Sequence, residues 1–341
     1  MGTLNNAKCS DQEFIDIWNK LQSGAKVAQA LGMGVRGVMA RRRRIEKDYK
    51  IELKATHKAY EPNPQIEQIK QQLNKRIEET RHHVRRGITL EKGRAIIFSD
   101  AHFYPDTETT AFQALLECIK EFQPEVIICN GDAFDGTSIS RHARINWGSV
   151  PSVIEELEAV KHYLGEIENA SKFKSNLIWT LGNHDARFES YLSNNVPQFS
   201  GVDGFSLSDH FPTWKPCWSY FINNDCQIKH KWKGGKFGGA NNTLHSGVHI
   251  ATGHTHVLSV DAYTDHSPNF QNGTRYGIQT GTLADPKGNQ FIDYCEDNPV
   301  NWRSGFVLMT WHNSQLLMPE MVQVWDENEG EVQFRGKVWK I

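Results

Sequence analysis

Five times along this chain a short apolar run stops at a cluster of Asp, Asn or His, and that recurrence restricts the fold more than any other feature. Residues 95–98 lead to Asp100-Ala-His102, residues 126–129 to Gly131-Asp132-Ala-Phe-Asp135, and residues 176–181 to Gly182-Asn183-His184-Asp185. Residues 226–229 run into His230, and residues 247–252 into Gly253-His254-Thr-His256. Short apolar runs bounded by glycine read as buried strands. Open α/β sheets gather ligands beyond the carboxyl ends of their strands, so clusters placed there converge on one site. Helical patterns at residues 109–122 and 152–170 alternate with the first three runs. Residues 276–280, 306–311 and 315–324 read as further strands, which predicts an α/β sandwich with a strand-rich second half.

The residue types in the clusters have a chemical logic. Hydrolysis of a phosphate ester near neutral pH needs an activated water and neutralised phosphoryl oxygens. Two cations about 3.5–4 Å apart supply both. A carboxylate such as Asp132 can bridge them, and imidazole and carboxylate suit manganese, iron or zinc. Glycines before Asp132, Asn183 and His254 allow the tight turns that bring side chains to such ions.

In this order, D-x-H, G-D-x-x-D, G-N-H-D, an isolated His and G-H-x-H resemble the calcineurin-like metallophosphoesterase family, across about residues 94–311. The resemblance implies a four-layer αββα sandwich and two divalent cations, manganese first, with iron or zinc as alternatives. It implies that Asp100, His102 and His256 hold one metal, that Asn183, His230 and His254 hold the other, and that Asp132 bridges them. His184 then sits by the substrate phosphate as general acid, with Asp185 orienting its ring. Lys231 departs from the family pattern, which has Gly after the isolated His, so His245 and His249 compete with His230 for that position. Ser138-Ile-Ser-Arg141-His142, Arg187 and Asn301-Trp-Arg-Ser-Gly-Phe306 resemble phage-encoded members. Arg141, His142 and Arg187 are candidates to grip a substrate phosphate, or are ordinary surface residues.

The front of the chain has a different character. Residues 1–94 hold 20 Lys+Arg against 11 Asp+Glu, a balance of +9, and the remainder holds 18 against 29, a balance of −11. Helical spacing at residues 11–21 with a Ser10/Glu13 capping box, a short segment at 25–31, a glycine turn and a basic helix at 35–47 follow helix-turn-helix order. Ala25-Lys-Val-Ala-Gln-Ala-Leu-Gly resembles the first half of such units in phage and bacterial DNA-binding proteins. Arg36, Arg41, Arg42, Arg43 and Arg44 are the candidate phosphate contacts, unless they form the solvated face of a helical hairpin. The expected division is a basic helix-turn-helix-like domain over 1–60, a helical linker over 61–92 with a charged helix at 65–86, and the phosphoesterase domain over 93–341. Six scattered cysteines without a C-x-x-C pair read as reduced thiols, and no apolar run is long enough to span a bilayer. A cytoplasmic protein is expected, in the host cytoplasm if phage-encoded. The favoured activity is a DNA-directed phosphodiesterase or nuclease. The alternatives are a phosphomonoesterase, or a DNA-binding regulator with a non-catalytic phosphoesterase platform.

Overall fold

Among the described residues, three helices between residues 11 and 49 form the core of the N-terminal unit. In the computed structural model, which describes residues 9–56, 68, 71–72, 83–142, 147–235, 237–264, 273–288, 291, 295, 298 and 300–341, the chain divides into compact units Met1–Gln72 and Leu73–Ile341. Helix α1 (Asp11–Leu21) starts at a capping box in which the Glu13 amide donates to Ser10 Oγ and the Ser10 amide donates to the Glu13 carboxylate. Helix α2 (Gly24–Leu31) stops at Gly32, whose φ of +58° suits glycine. Helix α3 (Val35–Tyr49) completes a core of Phe14, Trp18, Val27, Ala28, Val38, Ile45 and Leu53.

The four-arginine run does not form one outward face. Arg41 turns inward, donating to Asp11 Oδ1 at 2.8 Å and to the Cys9 carbonyl at 2.7 Å, with its guanidinium over the Phe14 ring. Arg42 pairs with Glu46 and lies over Trp18. Arg44 is half-exposed and also reaches Asp11. Arg36, Ala40, Arg43 and Lys47 are exposed, and their spacing of four, three and four places them on one helical face. The outward basic stripe is therefore Arg36, Arg43 and Lys47.

In the second unit, five polar clusters hang from one sheet. The strands are β1 (His83–Ile88), β2 (Gly93–Phe98), β3 (Val126–Cys129), β4 (Asn176–Thr180), β5 (Lys215–Ile222), β6 (Cys226–Lys229) and β7 (His249–Thr252). They continue with β8 (Leu258–Thr264), β9 (Thr274–Thr280), β10 (Gly305–His312), β11 (Gln315–Leu316), β12 (Glu320–Asp326), β13 (Glu331–Phe334) and β14 (Lys337–Lys340). The order is β14-β13-β12-β10-β2-β3-β4-β5-β6-β7-β9-β8, with β1 paired to β5 and β11 to β10. Parallel β2, β3 and β4 are buried on both faces. Their even-odd alternation divides the side chains between two cores. Ile96, Phe98, Ile127, Cys129, Leu177 and Trp179 pack with helices α4 (Thr110–Phe122) and α5 (Val153–Ala170). Ala95, Ile97, Val126, Ile128 and Ile178 join a core made almost entirely of strand residues, including Ile228, Ala251, Ile278 and Val307. After α6 (Asp185–Asn195) and the short α7 (Leu207–His210), helix α8 (Gly238–Ser246) packs on β7, β8 and β9. The one continuous sheet encloses the second core between its strands and carries helices outside, consistent with the αββα sandwich.

Two expectations are corrected here. Residues 83–86, read as the end of a charged helix, belong to β1, which pairs in parallel with β5 from His83↔Cys217 to Ile88↔Ile222. Pairing with β5 overrides the charged composition, and Arg85 lies over the Phe221 ring while Arg86 donates to the Pro216 carbonyl. Of the remainder of that expected helix, Gln68, Gln71 and Gln72 are helical and the other positions lie outside the described residues. The single strand expected over residues 315–324 is split into β11 and β12 around Pro319, which has no N–H to give a ladder.

Candidate active site

Backbone bonds fasten the strand-end loops to one another before any side chain is considered. The Asp100, His102 and Phe103 amides donate to the carbonyls of Gly131, Asp132 and Ala133, and the Gly253 amide donates to that of His230. The approach leaves no room for extra atoms. A Cβ on Gly131 would stand 2.4 Å from His230 Nδ1, and one on Gly182 would stand 2.0 Å from Asp132 Oδ1. Left-handed backbone recurs at the ligand positions themselves, with φ of +50° at Asp100, +42° at His102, +55° at Asp132, +69° at His254 and +56° at His256.

Asp100, His102 and His256 form one group of converging donors, and Asp132, His230 and His254 form another, with the donor atoms in each within 4.8 Å of one another. His256 Nε2 lies 3.2 Å from Asp100 Oδ1, and His230 Nε2 lies 3.0 Å from Asp132 Oδ2 and 4.0 Å from Asp100 Oδ1. The His254 amide donates to the Asp100 carboxylate. Asn183 stands exposed in the turn after β4, beside Gly182. His230 donates from Nδ1 to the Asn130 carbonyl at 2.8 Å, which turns Nε2 toward the carboxylates. Its two competitors are elsewhere. His245 is exposed on α8, and buried His249 accepts from the Tyr276 amide.

The donor set fits divalent cations. His102 Nε2, His230 Nε2 and His256 Nδ1 are buried and make no hydrogen bond among the described residues, a costly state for polar atoms that metal coordination relieves. The charges agree. Burial opposes protonation of His230, but Asp132 and Asp100 outweigh it and raise its pKa to about 10. Burial also opposes charge on His102, where the Asp135 hydrogen bond and the carboxylates lift the pKa to about 9. His254 goes the other way, to about 4, through burial and the neighbouring His230 charge. Protons thus gather where cations would neutralise the carboxylates.

Helix α6 (Asp185–Asn195) begins beside this centre, and here the geometry corrects the expectation for Asp185. Its carboxylate is buried and accepts from the amides of Asp132, Ala133, Phe134 and Gly182 and from Trp179 Nε1. With those donors around it, Asp185 ties two loops together and has no contact left for the His184 ring. Asp135 holds that ring instead, its Oδ1 accepting from His184 Nδ1 at 2.5 Å and from His102 Nδ1 at 3.0 Å. Burial opposes the charge of Asp135, but both histidines keep its pKa well below the usual carboxylate range. Motif spacing alone gave Asp135 no role. The signal was the second Asp of G-D-x-x-D.

Arg187 completes this group, donating to the Asp135 carbonyl at 2.9 Å and to His184 Nε2 at 3.2 Å. Arg141 and His142 are exposed beyond the turn Thr137–Ile139 and, among the described residues, make no hydrogen bond or ion pair with the ligand set. That turn is pinned from α5 by Glu156, which accepts from the Gly136 and Thr137 amides. Burial, then the charge of Asp135, raises the Glu156 pKa to about 7. An aromatic wall borders the first donor group: Phe291 packs 5.6 Å from the His102 ring and Trp302 4.3 Å from that of His256.

Comparison with known proteins agrees with this geometry. No curated protein matches the chain. Among solved structures, Yfce, a phosphoesterase from E. coli, is similar over 66% of this chain and 97% of its own, at 16% identity and a TM-score of 0.29, a likeness that carries no weight for function. The family model for calcineurin-like phosphoesterases matches residues 93–268, more than half of the chain and every one of the five clusters. The chain belongs to the calcineurin-like phosphoesterase family.

Proposed function

We propose that this metal-dependent phosphoester hydrolase is a DNA-directed phosphodiesterase or nuclease. The observation that carries the reading is the exposed stripe Arg36, Arg43 and Lys47 on α3 of a basic N-terminal unit, joined to a catalytic unit of opposite net charge. Three outward cations on one helical face suit phosphates spaced along a duplex. Asp100, His102 and His256 would hold one cation, Asn183, His230 and His254 would hold the other, and Asp132 would be shared by both. When bound, the cations neutralise phosphoryl charge and activate the attacking water. Manganese is the proposed metal, with iron or zinc as alternatives.

The remaining steps belong to the side chains. Asp135 fixes the tautomer of His184 by accepting from Nδ1, which directs Nε2 outward. Arg187 donates to that Nε2, which in this arrangement carries no proton. When a phosphate oxygen draws the guanidinium away, Nε2 takes up a proton from solvent, and the Asp135 carboxylate on Nδ1 stabilises the resulting imidazolium. Nε2 then delivers that proton to the leaving oxygen. The residues 138–142 and 301–306 support a phage-type member, acting in the host cytoplasm.

The test compares the full chain, loaded with manganese, on bis-p-nitrophenyl phosphate, p-nitrophenyl phosphate, plasmid DNA and single-stranded DNA. Diester and DNA hydrolysis is the expected result. Hydrolysis of the monoester alone would move the assignment to a phosphomonoesterase, and tight DNA binding without any hydrolysis would favour a regulator.

A further inference from the structure

The segment that leaves His230 has a composition that the metal centre does not explain. From Cys226 to Val260 the chain has no Asp or Glu, although residues 95–341 carry 29 of them, one per roughly 8.5 residues, so that about four would fall in such a stretch. Within it stand Lys229, Lys231, Trp232 and Lys233, and the last three are exposed. The backbone beneath them is fixed. Buried Asn242 of α8 accepts from the Lys233 amide at 3.1 Å and donates to the Lys233 carbonyl at 3.0 Å. Lys229 Nζ lies 5.7 Å from the Trp232 ring centroid, holding an indole that is 38% exposed. The loop also adjoins the second donor group. Gly234 faces the Thr255 methyl, between His254 and His256, with a separation of 3.8 Å from the position its Cβ would take.

We propose that Lys231, Trp232 and Lys233 form a rim that binds the nucleic-acid strand beside the scissile phosphate, with Trp232 stacking on a flanking base and the lysines on flanking phosphates. The inference rests on the diesterase reading and specifies its substrate as an unpaired strand, since a base must leave its neighbours to meet the indole. Anchored aromatics between cations are the usual means of holding single strands without sequence preference. A solvated lysine loop would need neither the buried Asn242 clamp nor an indole, two residues beyond His230, set against Lys229.

The experiment uses the full-length, manganese-loaded chain and a fluorescein-labelled, phosphorothioate-linked DNA tetranucleotide, with binding read by anisotropy. Trp232→Ala should weaken binding by about 10-fold, within the range for removing a base stack, and Trp232→Phe should restore most of it. Lys231→Ala with Lys233→Ala should flatten the slope of log affinity against log salt by about 1.4, at about 0.7 for each phosphate released on a single strand. Hydrolysis of bis-p-nitrophenyl phosphate, which has no flanking nucleotide, should stay within about 2-fold in every variant. Unchanged tetranucleotide binding overturns the proposal. So does an equal loss on the small diester, which would make the loop a support for the metal centre, or a loss confined to a phosphoserine peptide. If the wild-type chain cleaves no DNA while the variants still lose tetranucleotide affinity, the nuclease reading falls and the rim stands.

Discussion

Asp135 accepts from the rings of both His102 and His184, so its removal should act on metal retention and on proton delivery together. Asp135→Asn keeps the shape but loses the charge. Its expected effect is a loss of about 10–100-fold in metal affinity or activity, the usual cost of losing a carboxylate behind a ligand histidine. Metal content by atomic spectroscopy beside turnover measures both. His184→Ala should separate them, keeping metal and losing roughly 10²–10⁴-fold in turnover, less with good leaving groups. A fall in bound metal comparable to that in His254→Ala would contradict that role. Asp185→Asn should behave differently from both. It places an amide among buried N–H donors, at a cost of about 1–3 kcal/mol or more, visible as a lower melting temperature with little change in specific activity per folded molecule. The contrast shows what the sequence could tell. Six of the seven proposed ligands lie in motifs that are readable by spacing, while His230 is an isolated His with two competitors, and spacing could not decide which carboxylate faced His184. Asp185 is adjacent in the chain and Asp135 is 49 positions away, yet the turn after Gly182 aims the nearer one into the loop backbone.

Among the elements, α3 is where composition misleads most. Four consecutive arginines wrap around a helix, so two of them necessarily face inward or sideways, and Arg41 and Arg42 cross over Phe14 and Trp18. Arg36→Ala with Arg43→Ala and Lys47→Ala should flatten the salt dependence of duplex binding by about 0.9 for each phosphate no longer neutralised, with the helical unit still folded. Arg41→Ala with Arg42→Ala should instead loosen that unit, read by circular dichroism or proteolysis. If the two sets lost DNA affinity equally with folding intact, the stripe would not be the binding face. Strands β2, β3 and β4 were legible because burial on both faces leaves unbroken apolar runs. Strand β1 was not, since its residues are charged and only its pairing with β5 makes them extended.

At the scale of the molecule, the two-core sandwich brings distant segments against one loop. Glu156 on α5 holds the Gly136–Thr137 turn next to Asp135, and its pKa is raised to about 7 by burial and by Asp135. An acid with a raised folded-state pKa binds more protons folded than unfolded between its ordinary value of 4.5 and about 7, so its contribution to stability declines as pH rises through that window. The stability of wild type relative to Glu156→Gln, read from thermal melts at pH 5 and pH 7.5, should therefore fall by on the order of 2 kcal/mol at the higher pH. A gap that stayed constant would refute the assignment. The sandwich class was legible from alternating helices and strands, whereas this coupling between a helix and a loop depends on tertiary packing that no local pattern records.

The left-handed backbone at Asp100, His102, Asp132, His254 and His256 has an evolutionary consequence. Asn, Asp and His are the side chains that best tolerate such φ values after glycine, and β-branched residues tolerate them worst. The residue types that bind metals are thus also those that these turns accept, and chemistry and conformation reinforce the same choices. A lineage that lost catalysis would escape the first constraint and keep the second. Its surviving alphabet at these five positions would be Gly and Asn beside Asp and His. A saturation library scored only for cellular abundance, blind to hydrolysis, should recover that alphabet and deplete Val, Ile and Thr.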